Sequence, residues 1–202
     1  MTLADRWPLD TGTEVRDALL AAYADGTRGY HDIRHLTEVL DRLDELAAVG
    51  EDFARVPVLL AAWFHDGVYD GRPDAEERSA QWAETALPAA GLGGSVVADV
   101  ARLVRLTSHH RPADDDPDGR ALSDADLAIL AAGPKRYADY ASAVRREYAH
   151  VADSDFRAGR AIILTDLLAK EHLFHTAHGR ARWERAARAN VERELGRPSE
   201  LS

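Results

Sequence analysis

Apolar residues recur every three or four positions along most of this chain, which is the spacing of one face of an α-helix. One such stripe, in the segment DIRHLTEVLDRLDELAAVG, consists of Ile33, Leu36, Leu40, Leu43, Leu46 and Ala47. Asp32 precedes it as a candidate cap, and Gly50 follows it where a helix would end. No alternating strand pattern, repeat or linker interrupts the series. We therefore predict an all-α fold, a single-domain helical bundle over residues 1–202.

Further helices are predicted from the same periodicity. They cover residues 13–26, 56–64, 74–91, 94–110, 123–131, 134–151, 153–174 and 180–195. Pro134 stands where a first helical turn tolerates proline. The segment RPADDDPDG, residues 111–119, is predicted to be a polar surface loop because it combines two prolines with four aspartates.

Composition excludes several classes of protein. A net charge of -10 argues against a nucleic-acid-binding surface, which requires clustered Lys and Arg. The absence of cysteine rules out disulfides and thiolate-bound zinc. No signal-peptide pattern opens the sequence, and no apolar run is long enough to span a bilayer. We expect a cytoplasmic protein with neither a nucleic-acid nor a membrane partner; the sequence leaves a homo-oligomer open.

The apolar run Val56–Phe64 ends abruptly in His65 and Asp66. Its apolar character on nearly all sides predicts a helix in the middle of the bundle. A histidine and an aspartate are costly to bury there unless a partner compensates for lost hydration. A metal ion lying beside the helix end is one such partner.

Two more polar residues border predicted apolar faces. His35 adjoins the stripe that begins at Ile33, and Asp126 lies in SDADLAIL, where Ser123 or Asp124 would cap the helix. Two imidazoles and two carboxylates form a mixed nitrogen and oxygen set. Such a set suits a divalent ion such as Mn, Mg, Fe, Co or Ni.

The order of these motifs resembles the HD superfamily of metal-dependent phosphohydrolases. Five segments are similar to successive motifs of a bacterial branch of that family, whose members are predicted phosphohydrolases. These segments are RGYHDIRHL, AAWFHDGVYD, EERSA, LTSHH and DADLAIL. They span a motif core of about residues 28–130, on which C-terminal helices 134–196 would pack. The ordered set is specific for the fold and the metal site, and less so for the substrate.

The resemblance implies roles for individual residues. His35, His65, Asp66 and Asp126 would bind the metal, with Asp124 as the alternative to Asp126. Glu77, next to Glu76, would orient or deprotonate the attacking water, so that Glu77 and Asp66 would act in catalysis. Arg28 and His110, with His109 and Arg111 behind them, would bind the phosphoryl group.

The implied activity is hydrolysis of a small phosphorylated molecule, a nucleotide or a pyrophosphate compound, by metal-activated water. One ion is expected. The alternative is a non-catalytic HD module that binds metal or nucleotide and acts through protein interaction. A second histidine group, His172, His175 and His178, has no obvious carboxylate partner; with Gly179 after it, we predict a solvated helix terminus there.

Overall fold

The computed structural model describes residues 2–196, and within that range all regular secondary structure is helical. The ten α-helices of this range are α1 (Thr13–Tyr23), α2 (Ile33–Ala48), α3 (Arg55–Phe64), α4 (Ala75–Ala86), α5 (Gly94–Leu106), α6 (Pro117–Leu127), α7 (Pro134–Glu147), α8 (Asp153–Ala169), α9 (Ala177–Arg182) and α10 (Glu184–Glu194). Short 3-10 helices cover Ala4–Arg6 and Ala128–Ala131. The all-α prediction is confirmed; residues 1 and 197–202 of the predicted domain lie outside the described range.

Local sequence signals mark the starts of two helices as predicted. The Asp32 carboxylate accepts hydrogen bonds from the backbone N–H groups of Arg34 and His35, at 2.9 and 3.1 Å, and so caps α2. Pro134 occupies the first turn of α7. The cap on α2 is important for the site because His35 lies in the turn that it fixes.

Helix α6 begins six residues earlier than predicted. Asp116 is its N-cap and accepts from the Gly119 N–H at 3.0 Å, while Pro117 opens the first turn. Ser123 and Asp124 are therefore buried residues inside the helix, and the prediction that one of them caps it is wrong. Asp116 and Pro117 thus mark the start of a helix. The prediction of a loop for this segment relied on its many prolines and aspartates, which also occur at helix starts.

Helix α8 ends at Ala169, whereas the predicted helix continued to Phe174. The chain then turns, and Thr176 caps α9 by accepting from the Gly179 N–H at 2.9 Å. Gly179 thus lies in the first turn of a helix, and its interpretation as a helix terminator is wrong.

Helix α3 runs through the middle of the hydrophobic core, as its composition predicted. Six of its ten residues have no exposed surface: Val58, Leu60, Ala61, Ala62, Trp63 and Phe64. It packs against α2, α5 and α6. His65 follows this buried segment directly, so the fold carries that side chain into the interior. Within residues 2–196, none of the helices combines the length and the apolar character that crossing a membrane requires.

Candidate metal centre

Three helices bring His35, His65 and Asp126 together in the interior. His35 comes from the first turn of α2, His65 directly follows α3, and Asp126 lies in the last turn of α6. The Nε2 atoms of His35 and His65 are 3.0 Å apart. Asp126 Oδ1 lies 3.2 Å from the Nε2 atom of His35 and 3.6 Å from the Nε2 atom of His65. One ligand atom from each residue lies within 4.8 Å of the others, so this group could hold a metal ion.

Asp66 adds a second carboxylate to the same group. Its Oδ2 lies 3.0 Å from His65 Nε2 and 3.2 Å from His35 Nε2. This oxygen is buried and has no hydrogen-bond partner. A buried carboxylate oxygen without a partner is costly, and a cation between it and the imidazoles would remove that cost. We refer to His35, His65, Asp66 and Asp126 as the HHDD cluster.

The orientation of His65 is suited to metal binding. Its Nδ1 lies 2.8 Å from the carbonyl oxygen of Ala62, so the neutral ring donates from Nδ1 and directs the Nε2 lone pair into the cluster. Histidine ligands in metal sites are commonly held in this way, with the second ring nitrogen donating to a carbonyl or a carboxylate.

The charges in the HHDD cluster are strongly coupled. Burial would lower the pKa of His35, but the Asp126 and Asp66 carboxylates raise it to about 9. Burial would likewise raise the pKa of Asp66, but the positive charge on His65 holds it well below its usual range. Protons thus supply the positive charge that two buried carboxylates need, and a dication would supply the same charge with neutral imidazoles as ligands. The donor set therefore fits a divalent ion.

The structure separates Asp126 from Asp124. Asp124 accepts from the backbone N–H of His175 at 2.7 Å, and from the N–H and hydroxyl of Thr176 at 2.8 and 2.7 Å. It anchors the segment before α9, whereas Asp126 belongs to the HHDD cluster. The choice of Asp126 as the candidate ligand agrees with this geometry.

A cavity of about 750 Å³ opens beside the HHDD cluster, and His65, Asp66 and Asp126 form part of its lining. Among the predicted substrate-binding residues, only His110 lines it. His110 Nε2 lies 3.6 Å from Asp126 Oδ2, and burial lowers the pKa of this histidine to about 4. His110 is therefore placed beside the space that a substrate would occupy.

The structure does not bring His109 or Arg111 to the cavity lining. His109 is exposed, and its Nδ1 accepts a hydrogen bond from the Arg111 backbone N–H at 3.1 Å. The Arg111 side chain is 66% exposed and lies 3.5 Å from Asp166. The sequence did not decide which of His109 and His110 would face a substrate. The geometry favours His110.

Arg28 is engaged by the backbone and does not line the cavity. Its guanidinium donates to the carbonyl oxygens of His31, Asp66 and Gly67, at 3.0, 2.7 and 3.0 Å. It therefore fastens the segment that precedes α2 to the turn that carries His65 and Asp66. With its donors used in this way, Arg28 has the geometry of a support for the candidate metal ligands His65 and Asp66.

Glu77 does not line the cavity beside the HHDD cluster. Its carboxylate forms two hydrogen bonds with the Arg105 guanidinium, at 2.6 and 2.8 Å, and these lower its pKa to about 2. Its neighbour Glu76 lines the cavity instead. Adjacent residues on a helix point about 100° apart, so one position in sequence decides which carboxylate faces the cavity.

One pair near the site was not predicted. His31 lines the cavity, and its Nδ1 lies 2.8 Å from Glu147 Oε2 at the end of α7. Glu147 Oε1 also accepts from the backbone N–H groups of residues 29, 30 and 31, at 3.0, 2.8 and 2.8 Å. No local motif marks Glu147, because its partners precede it by more than a hundred residues.

The second histidine group does not form a metal site among residues 2–196. His178 Nε2 lies 2.8 Å from Glu45 Oε1, and its ring is only 15% exposed. The prediction of a solvated terminus is therefore wrong for His178. Its carboxylate partner comes from α2, which sequence spacing did not reveal.

Comparison with known proteins adds no relative: no protein-family model, curated protein or solved structure matches this chain. An HD-type fold is compatible with the helical bundle and its buried His, His and Asp group. The fold and the site thus define an all-α protein with a candidate divalent-metal centre at the edge of a large cavity.

Proposed function

We propose that this protein is a divalent-metal-dependent phosphohydrolase acting on a small phosphorylated molecule. The observation that carries the proposal is the HHDD cluster, a largely buried donor set of four residues, three of which line a cavity large enough for a substrate. A divalent ion bound there would supply Lewis acidity and would make water a better nucleophile at neutral pH.

The residues of the chain have separate tasks in this proposal. The HHDD cluster holds the ion, with Asp66 and Asp126 balancing its charge. His110, beside Asp126 in the cavity wall, donates a hydrogen bond to a phosphoryl oxygen. Glu76, which faces the cavity where Glu77 does not, accepts the proton of the attacking water.

Metal analysis combined with a phosphate-release screen tests this function. Purified protein is supplied with Mn, Mg, Co or Ni and assayed on nucleotides, pyrophosphate compounds and simple phosphate monoesters. We expect bound metal and metal-dependent phosphate release, both lost in Asp66→Ala. Full metal binding and activity in Asp66→Ala would refute the site. Metal binding without phosphate release from any compound would refute the enzyme.

A further inference from the structure

The cavity lining has two chemically unlike parts. His65, Asp66 and Asp126 of the HHDD cluster, with His31 and His110, form a polar part. Another part comes from α7, α8 and the turn between them, and most of its side chains are apolar or aromatic. Six of these side chains are Tyr140, Val144, Val151, Phe156, Ile163 and Leu167. We refer to these six residues as the apolar wall.

Helix α8 presents one continuous face to this cavity. Its lining residues recur at the spacing of a single helical face; they are Asp155, Phe156, Gly159, Arg160, Ile163 and Leu167. Ile163 remains 58% exposed although it lines the cavity. An apolar surface that lines the same cavity as polar groups is typical of a ligand-binding site.

Gly159 lies in the middle of that face without a structural need for glycine. A Cβ added there would meet no atom within 4 Å, and its backbone is in an ordinary helical conformation. Glycine inside a helix is less stable than alanine would be there. The missing side chain leaves open space in the centre of the wall.

The wall provides little free positive charge. Arg160 pairs with Glu194 at 2.9 Å, and Arg72, on another part of the lining, pairs with Asp70 at 2.7 Å. Arg72 is 76% exposed and shares Asp70 with Arg78, whereas the arginine of the wall, Arg160, has Glu194 as its own partner. A second phosphate group beside the wall would therefore find no unpaired arginine there, whereas an apolar group would cover the exposed wall.

We propose that the substrate is a phosphate monoester with a bulky apolar, ring-bearing alcohol moiety, which lies against the apolar wall while its phosphoryl group faces the HHDD cluster. The inference rests on the proposed function and narrows it. In the reaction, water adds to phosphorus, the ester P–O bond breaks, and the alcohol departs with a proton, leaving inorganic phosphate. Gly159 makes room for the ring and determines specificity.

Two esters that share a phosphoryl group but differ in the alcohol provide the test. With Mn²⁺ present, kcat/KM for 1-naphthyl phosphate should exceed that for glycerol 3-phosphate by about tenfold or more, the order of discrimination that apolar pockets achieve. Gly159→Leu fills the open space and should reduce this ratio by about tenfold. Ala158→Leu adds the same side chain at the neighbouring exposed position, which does not line the cavity, and should leave the ratio unchanged.

A binding measurement separates this inference from the proposed function. The fluorescence of a non-hydrolysable naphthyl phosphonate reports binding without turnover, and Gly159→Leu should weaken that binding about tenfold relative to Ala158→Leu. Weakened phosphonate binding with no hydrolysis of any ester would support the apolar site and refute the enzyme. Hydrolysis with no preference for the naphthyl ester and no effect of Gly159→Leu would overturn the inference and leave the enzyme intact.

Discussion

Arg28 illustrates how a residue outside the candidate ligand set can support the site. It donates three hydrogen bonds to the backbone carbonyl oxygens of His31, Asp66 and Gly67. Its guanidinium also lies 5.1 Å from the Tyr23 ring, which packs beneath the same turn. Removing the Arg28 side chain would loosen the turn that carries His65 and Asp66. All four residues of the HHDD cluster would still be present.

We predict that Arg28→Ala weakens Mn²⁺ affinity by about tenfold or more, the usual loss when an outer support of a metal site is removed. Isothermal titration calorimetry measures this directly. Arg55→Ala is the control, because Arg55 is 54% exposed and pairs with Asp44 on the surface. Equal affinity in the wild type and Arg28→Ala would show that Arg28 does not support the site.

The adjacent pair Glu76 and Glu77 provides a matched test of the proposed base. We predict that Glu76→Gln lowers kcat by about a hundredfold, a typical contribution of general-base catalysis, with metal affinity unchanged. Glu77→Gln should lose only its contact with Arg105 and keep near-normal kcat, because that carboxylate does not face the cavity. The opposite ranking of the two variants would return the role to Glu77.

At the residue scale, the sequence revealed the candidate ligands but not their supports. His35, His65, Asp66 and Asp126 were predictable because motif order and apolar context marked them together. The role of Arg28 was not, because its partners are carbonyl oxygens, which every residue has. The choice between Glu76 and Glu77 depends on which side of α4 faces the cavity. The sequence does not determine that side, because it predicts the first residue of a helix only to within one or two positions.

At the scale of elements, Glu147 joins the end of α7 to the segment before α2. Its carboxylate is 4% exposed and accepts three backbone hydrogen bonds besides contacting His31. Burial alone would raise its pKa, but His31 and these amides lower it below the ordinary value of 4.5. A lowered carboxyl pKa means that the ionised form stabilises the fold.

We predict that Glu147→Gln lowers the free energy of unfolding by about 1–3 kcal/mol at pH 7. The stabilisation by Glu147 is present above pH 4.5 and is lost as the pH falls through its lower folded-state pKa. Denaturant unfolding from pH 7 to pH 3 should therefore show the two proteins converging at the acid end. A constant difference across that range would show that ionisation of Glu147 contributes nothing.

The helix pattern was largely predictable, and its errors have a common origin. Periodicity identified the buried α3 and the capped start of α2, because both signals are local. It misplaced the starts of α6 and α9. Asp116 caps α6 within a segment predicted to be a loop, and Thr176 caps α9 within a segment predicted to be the end of a helix. Contacts between distant elements, such as Glu45 with His178, left no pattern in the sequence.

At the scale of the whole molecule, metal binding by the HHDD cluster would be linked to stability, because the cluster exists only when α2, α3 and α6 are packed together. A ligand that binds only the folded state at a thousand times its Kd adds about 4 kcal/mol of stability. For a chain of this size that raises Tm by roughly 10 °C. We predict such a rise in calorimetry on adding Mn²⁺, reversed by a chelator; an unchanged Tm would contradict it.

The most direct test of the metal centre compares the two aspartates of α6. Mn²⁺ binding is measured by calorimetric titration for the wild type, Asp126→Asn and Asp124→Asn, with circular dichroism to verify that each variant is folded. We predict one ion per chain in the wild type and in Asp124→Asn, whose altered carboxylate lies outside the HHDD cluster. Asp126→Asn should bind no ion at the same concentrations. Undiminished binding by folded Asp126→Asn would contradict the account.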